Sequence, residues 1–308
     1  MDSLRGEKIL VTGPAGQIAF PLAARLAADN EVWGIARFRD RDSRNRVEAA
    51  GIRTRVVDLA APDWADLPDD FSIVLHLAAA ITGGYDYDAS LRVNAEGTGH
   101  LMSRVRGARA CLVMSTCGVY ASPEDPRRAI VESDPLGGTP QPYAPTYCVS
   151  KIGEEAVARF AAREFGLPTT IARMNVAYGG NGGLPAFLLE MILADQPVPL
   201  LAGRAAVCSP IHDDDIFDHT PGLLAAASVP ATITNWGGDE AVEIPELCRH
   251  MADLVGKQLA FVETPDGIHQ YRLDPTRRTE LTGRCRVHWR DGLRRMIAAR
   301  HPELPLRG

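Results

Sequence analysis

Tyr147 and Lys151, in the stretch YCVSK, are the side chains of this sequence whose types and spacing suit proton transfer. A phenol that titrates near 10 in water becomes a useful acid and base once a neighbour brings it towards working pH. Four residues of separation supply such a neighbour only on a helix, where positions i and i+4 share a face. Ile152, Ala156, Val157 and Phe160 recur at helical spacing, so a helix over 147–164 is expected. By spacing alone the two residues are either a catalytic pair or an exposed helical pair, and the elements around them have to decide.

The stretch VTGPAGQIA places Gly13 at the end of a first strand and Gly16 at the start of a helix expected from Gln17 to Ala28. In this Gly-x-x-Gly-x-x-Ala pattern, Gly13 permits a tight turn and Gly16 lets a pyrophosphate approach the backbone at the positive end of the helix. Ala15, Gln17 and Ile18 belong to the same turn, and Ala19 is small enough for helix and strand to pack closely. Followed by strand, helix and strand, the pattern favours a dinucleotide site over a purely structural turn. The residue that meets the adenosine ribose is expected at the end of the second strand, EVWGIAR, which closes on Arg37 with Arg39 and Arg41 behind it. A carboxylate there suits the ribose 2′-hydroxyl of NAD, whereas a guanidinium suits a 2′-phosphate. Arg37 therefore favours NADP over NAD, the other reading being a solvated basic loop. Asp58, followed by Leu59 in VVDL, could accept a hydrogen bond from the adenine amino group or serve as a turn residue.

The elements that must hold these residues are four short apolar runs, KILVTG, EVWGIAR, SIVLHLAA and ACLVMST, alternating with helical stretches. That rhythm implies βαβ units and a parallel sheet. VVDL at 56–59 reads as a further strand, and GLPTTIARM returns to the sheet after the Tyr147 helix. Beyond Asn175 the chain turns Gly- and Pro-rich, with a strand at 231–236 and an amphipathic helix from Pro245 to Leu254. The expected fold is α/β, a Rossmann-type doubly wound parallel sheet with a smaller C-terminal substrate-binding lobe. Residues 1–175 form the dinucleotide-binding lobe, with a returning segment near 205–237, and 176–308 form mainly the smaller lobe.

Composition narrows the partners. The 308 residues are 45% hydrophobic and 23% charged, a globular balance, and the net charge of −6 offers a nucleic acid no general attraction. Apolar runs such as SIVLHLAAAI fall short of the ~20 residues that span a bilayer, and the start MDSLRGEKILVTG does not read as a signal peptide. The six cysteines show no CxxC or zinc spacing and are expected to be reduced thiols of a cytoplasmic protein. His212 with Asp213, Asp214 and Asp215 reads as the opening of a helix, so no metal site is expected.

Seven segments agree in order and spacing: TGPAGQIA, VVDL, HLAAA at 76–80, VNAEGT at 93–98, MSTCGVY at 114–120, YCVSK, and SPIHDDDI at 209–216. On these the chain resembles the extended short-chain dehydrogenase/reductase family, the group of NAD-dependent nucleotide-sugar epimerases and dehydratases. The resemblance implies that Tyr147 is the general acid/base and that Lys151 holds the nicotinamide ribose while its charge stabilises the Tyr147 phenolate. Thr116 aligns with the Ser/Thr whose hydroxyl bonds the substrate oxygen, and Leu77, Ala78 and Ala79 with a turn beneath the cofactor. Asn94, Gly97 and Thr98 are expected to fix the following helix against the sheet. Thr82, Cys117, Asn175 and Arg204 fall in the implied substrate cleft, and the Tyr-Lys helix is where such chains often pair as homodimers.

The resemblance weakens towards substrate. Cys208 stands where many of these enzymes carry an arginine that grips a diphosphate; Arg204 lies four residues upstream. Asn175 comes one place early, and Gly179–Gly180 replaces a common Gly-Pro. The leading expectation is an NAD(P)-dependent oxidoreductase moving hydride between nicotinamide and a small ketone or secondary alcohol. The alternatives are a nucleotide-sugar epimerase or dehydratase with tightly bound NAD, and a non-catalytic NAD(P) sensor, which would not need the Thr116, Tyr147 and Lys151 set.

Overall fold

The apolar runs condense into one seven-stranded sheet. In the computed structural model, which describes residues 4–81, 84–138 and 143–307, its strands are Lys8–Thr12 (β1), Glu31–Ala36 (β2), Arg53–Val56 (β3), Ile73–His76 (β4), Ala110–Thr116 (β5), Thr169–Met174 (β6) and Thr232–Trp236. The order across the sheet is Thr232–Trp236, β6, β5, β4, β1, β2, β3. β1 pairs in parallel with β2 and β4, β2 with β3, and β4 with β5. The chain thus winds outward from β1 to β3, returns beside β1 as β4, and winds the other way, which opens a crevice at the carboxyl ends of β1 and β4. Ile9, Leu10, Val11, Ile73, Val74 and Leu75 are fully buried, as expected for parallel strands covered on both faces.

The covering helices are Ala19–Leu26 (α1), Arg41–Ala49 (α2), Tyr87–Leu91 (α3), Gly97–Arg104 (α4) and Tyr147–Phe165 (α5). A π-helical turn, Arg92–Glu96, joins α3 to α4. The Asp40 carboxylate caps α2 by accepting from Ser43 N at 2.6 Å. α5 ends on Gly166 at φ +64°, a left-handed position that glycine adopts without steric cost. The expected strand VVDL is displaced: β3 ends at Val56, and Val57, Asp58 and Leu59 follow it. Charge hides the true strand, because Arg53 and Arg55 lay their guanidinium groups over the Trp33 ring of β2, 5.5 and 5.0 Å from its centroid.

Two compact units emerge, Met1–Ala121 with Pro135–Arg173 and Phe217–Thr234, and Ser122–Asp134 with Met174–Ile216 and Asn235–Gly308. Ser122–Asp134 joins the second unit through Ile130, whose N–H donates to Arg272 O at 3.1 Å and whose carbonyl accepts from Asp274 N at 2.8 Å. The remaining helices are Leu184–Leu193 (α6), Asp213–Ala225 (α7), Ile244–Val255 (α8), Thr276–Thr282 (α9) and Trp289–Arg300 (α10). Leu188 and Leu189 of α6, Leu247 and Met251 of α8, and Leu293 and Met296 of α10 are all fully buried in the core of the second unit. The acidic run Asp213–Asp215 forms the first turn of α7.

In the first unit a buried pair ties α5 to the sheet. Arg173 of β6 donates through Nε to Glu155 Oε1 at 2.9 Å and through Nη2 to Oε2 at 2.7 Å, while Ser115 Oγ of β5 donates to Oε1 at 2.6 Å. Removing one partner of such a pair strands the other charge, at a cost of about 3–5 kcal/mol. Glu155→Ala is expected to lower the urea denaturation midpoint accordingly, and an unchanged midpoint would refute this role.

Candidate active site

A cavity of about 370 Å³ opens where the winding reverses. Gly13, Ala15, Gly16, Gln17 and Ile18 line it from the turn after β1, Arg37 from the end of β2, Asp58 and Leu59 from beyond β3, Leu77, Ala78 and Ala79 from the turn after β4, and Tyr147 from the start of α5. Ile81, Val93 and Met114 also line it. Val93 and Met114 begin two of the quoted motifs, yet as apolar residues they carry no chemical signal in the sequence.

Two glycines let the turns meet. Gly13 has φ +67°, and a Cβ there would lie 3.0 Å from Ala78 Cα. A Cβ on Gly34 of β2 would come within 2.6 Å of the Pro14 ring. Thr12 Oγ1 accepts from Leu77 N at 3.0 Å and Ala78 N at 2.9 Å, which clasps the β1 turn to the β4 turn. Arg37 is exposed, and among the described residues its guanidinium has no partner. Asp58 Oδ1 accepts from Ala60 N at 3.1 Å. The residues present fit a dinucleotide: a glycine turn at a helix N-terminus and a free cation at the end of β2.

With its O–H free to donate, Thr12 bonds His76 Nδ1 at 2.8 Å. The imidazole proton then belongs on Nε2, which donates to Thr98 Oγ1 at 2.7 Å, and Thr98 donates to Asn94 O at 2.6 Å. Burial, with the Lys151 charge adding, pushes His76 down to about 3, so it is neutral near pH 7. The Asn94 amide accepts from Ala80 N at 2.6 Å and donates to Ala80 O at 3.0 Å and Ser150 Oγ at 2.8 Å. It fastens the turn after β4 to α5.

Thr116 ends β5, and its Oγ1 accepts from Gly118 N at 3.1 Å. A Cβ on Gly118 would lie 2.7 Å from Cys148 Sγ and 3.4 Å from Thr116 Oγ1, so the end of β5 packs on the first turn of α5. Cys117 is buried at this junction. Burial pushes the Cys148 thiol up to about 11, which leaves it a poor nucleophile. Tyr147 is half-buried, and burial, reinforced by Glu154, holds its phenol above the ordinary value. Lys151 is 1% exposed; its Nζ donates to Met114 O at 2.9 Å and pairs with the Glu154 carboxylate.

In the second unit, Asn175 Oδ1 accepts from Ser209 N at 2.8 Å and its Nδ2 donates to Tyr271 O at 3.1 Å. Arg204 Nη2 donates to Pro123 O, and Cys208 Sγ lies buried 3.5 Å from Val242 O. Thr82 lies outside the described residues. All six cysteines are free thiols.

The NAD dependent epimerase/dehydratase family model matches residues 9–217. A trifunctional UDP-glucose 4,6-dehydratase/UDP-4-keto-6-deoxy-D-glucose 3,5-epimerase/UDP-4-keto-L-rhamnose-reductase of Arabidopsis thaliana is 25% identical over 317 residues, 94% of this chain and 46% of that protein. The chain spans about half the length of the curated relatives it matches. Among solved structures, UDP-glucuronic acid 4-epimerase from Bacillus cereus, in complex with UDP-glucuronic acid and NAD, superposes with a TM-score of 0.81 at 22% identity, covering 96% of this chain and 99% of that one. The dTDP-glucose 4,6-dehydratase DesIV from Streptomyces venezuelae, with NAD bound, gives 0.80 at 25% identity, covering 95% and 96%. With the family model reaching from β1 into α7 over six of the seven strands of the sheet, the glycine turn and the Tyr147 helix, this chain belongs to the NAD dependent epimerase/dehydratase family.

Proposed function

We propose that this protein is an NAD(P)-dependent oxidoreductase that moves hydride between nicotinamide and the carbon of a small secondary alcohol or ketone. The observation that carries this reading is that Tyr147 lines the same cavity as the Gly13–Ile18 turn and Arg37. The dinucleotide, when bound, accepts or donates the hydride. In the oxidising direction the ionised Tyr147 takes the substrate hydroxyl proton as the C–H bond breaks; in reduction the phenol returns it. Lys151 supplies the positive charge that lowers the cost of the phenolate, and Thr116 donates a hydrogen bond to the substrate oxygen. Leu77, Ala78 and Ala79 would form the floor for a bound cofactor, and Asp58 would accept from its adenine amino group.

Arg37 supports NADP over NAD, since a guanidinium with no partner among the described residues matches a 2′-phosphate. The substrate is a small molecule of little phosphate charge. Cys208 is fully buried at the place of a diphosphate-binding arginine, and the Arg204 guanidinium is engaged with the Pro123 carbonyl. A nucleotide-sugar epimerase or dehydratase is the second reading, favoured by the UDP- and dTDP-sugar enzymes among the relatives. We place the protein in the cytoplasm, where six thiols stay reduced. We also propose a homodimer paired through α5, whose Val149 and Phe160 side chains are 43% and 62% exposed.

Tyr147→Phe is expected to cut turnover by about 10²–10⁴-fold with cofactor binding retained, and Lys151→Ala to weaken both. Near-normal turnover in Tyr147→Phe would refute the assignment. Fluorescence titration should show tighter NADPH than NADH binding, with Arg37→Ala losing about ten- to a hundredfold for NADPH alone, as one charge-assisted hydrogen bond implies. Equal or better NADH binding by the unmodified protein would count for the epimerase reading. Calorimetry against UDP, dTDP and GDP separates the substrate readings: no binding is expected, and micromolar affinity for any of them would make a nucleotide sugar the substrate.

A further inference from the structure

Tyr147, Lys151 and Glu154 stand at i, i+4 and i+7, a single stripe of α5. Glu154 is fully buried, its carboxylate pairs with the Lys151 ammonium, and its Oε1 lies 3.5 Å from His76 Nε2. Among the described residues no backbone N–H caps the carboxylate, and its close partner is the Lys151 ammonium. A carboxylate kept dry is held there by the cation it pairs with, and that cation is the one the Tyr147 phenolate also needs.

We propose that Glu154 is a positioning residue for the Tyr147–Lys151 pair: it fixes the ammonium on α5 and, by its charge state, sets how much of the Lys151 field reaches the Tyr147 phenol. The inference rests on the catalytic reading above. Charged and titratable groups reach Glu154 from three sides. Its own helix presents Lys151, Tyr147 and Glu155, the last already paired with Arg173 of β6 and Ser115 of β5. β4 presents His76, which stays neutral, and β5 presents the Met114 carbonyl through Lys151.

Burial raises Glu154, Lys151 pulls it partly back and Glu155 pushes it up, leaving it at about 7. Below that pH Glu154 is neutral, Lys151 is uncompensated and the Tyr147 phenolate is favoured; above it Glu154 is ionised and opposes the phenolate, the direction in which it acts on Tyr147 here. The acid/base group therefore becomes harder to ionise as pH rises through neutrality.

The test uses the full chain labelled with tetrafluorotyrosine, whose four ring fluorines lower the phenol pKa far enough to bring Tyr147 into a titratable range, and fluorine NMR, with the Tyr147 resonance identified by its absence in Tyr147→Phe. Glu154→Gln is expected to lower the Tyr147 midpoint by about one pH unit, as removal of one nearby charge implies at a protein-like dielectric. An unchanged or raised midpoint overturns the proposal. If Glu154→Gln does not fold, the unsubstituted protein carries the test: its Tyr147 resonance must show a smaller inflection near pH 7 besides its own ionisation, and a single inflection overturns the proposal. No substrate enters this measurement, so its failure is separate from that of the catalytic reading, which turns on turnover by Tyr147→Phe.

Discussion

A lysine ammonium taken out of water must place its protons on protein oxygens, and Lys151 places them on the Met114 carbonyl and the Glu154 carboxylate. Met114 belongs to β5, so the bond fixes the rotation of α5 about its axis as well as its distance from the sheet. That rotation determines where Tyr147, one turn earlier, can point. The Glu155–Arg173 pair, on the residue next to Glu154, repeats the constraint with opposite polarity, the helix supplying the anion and β6 the cation. An amphipathic helix held by apolar contacts alone tolerates slippage; one held by buried charges of both signs does not.

The same economy governs the turns after β1 and β4. Thr12 accepts from the two N–H groups that leave β4 and donates a hydrogen bond to His76, from which the chain of bonds continues through Thr98 to Asn94 and on to Ser150 of α5. The floor of the cavity and the helix carrying Tyr147 are thus parts of one hydrogen-bonded network. A displacement of either would leave buried polar atoms unpaired, which is more costly than the bonds themselves are favourable.

Much of the fold was legible in the sequence, because parallel strands buried on both faces announce themselves as apolar runs. KILVTG, EVWGIAR, SIVLHLAA and ACLVMST all coincide with strands. β3 was misplaced because an edge strand stabilised by arginines on an indole does not look apolar. The residues lining the cavity were readable where backbone geometry restricts the residue type, as at Gly13, or where charge marks the end of a strand, as at Arg37. Ile81, Val93 and Met114 were not, since their side chains act only as walls. Glu154 was silent for another reason: a glutamate on a helix normally faces water, and only its burial beside Lys151 distinguishes it.

Pro14 and Gly34 carry a consequence for how such a chain can drift. The Pro14 ring, in the turn after β1, fills space that a side chain at position 34 would need, 2.6 Å from its ideal Cβ, and Ile52 closes the rest at 3.2 Å. Position 34 is not free to vary by itself: a larger residue in the middle of β2 would push the turn after β1 aside, and the change would be felt at the cavity by way of a residue that does not line it. A smaller residue at position 14 meets no such bar, so the constraint runs one way, from the turn after β1 into the second strand.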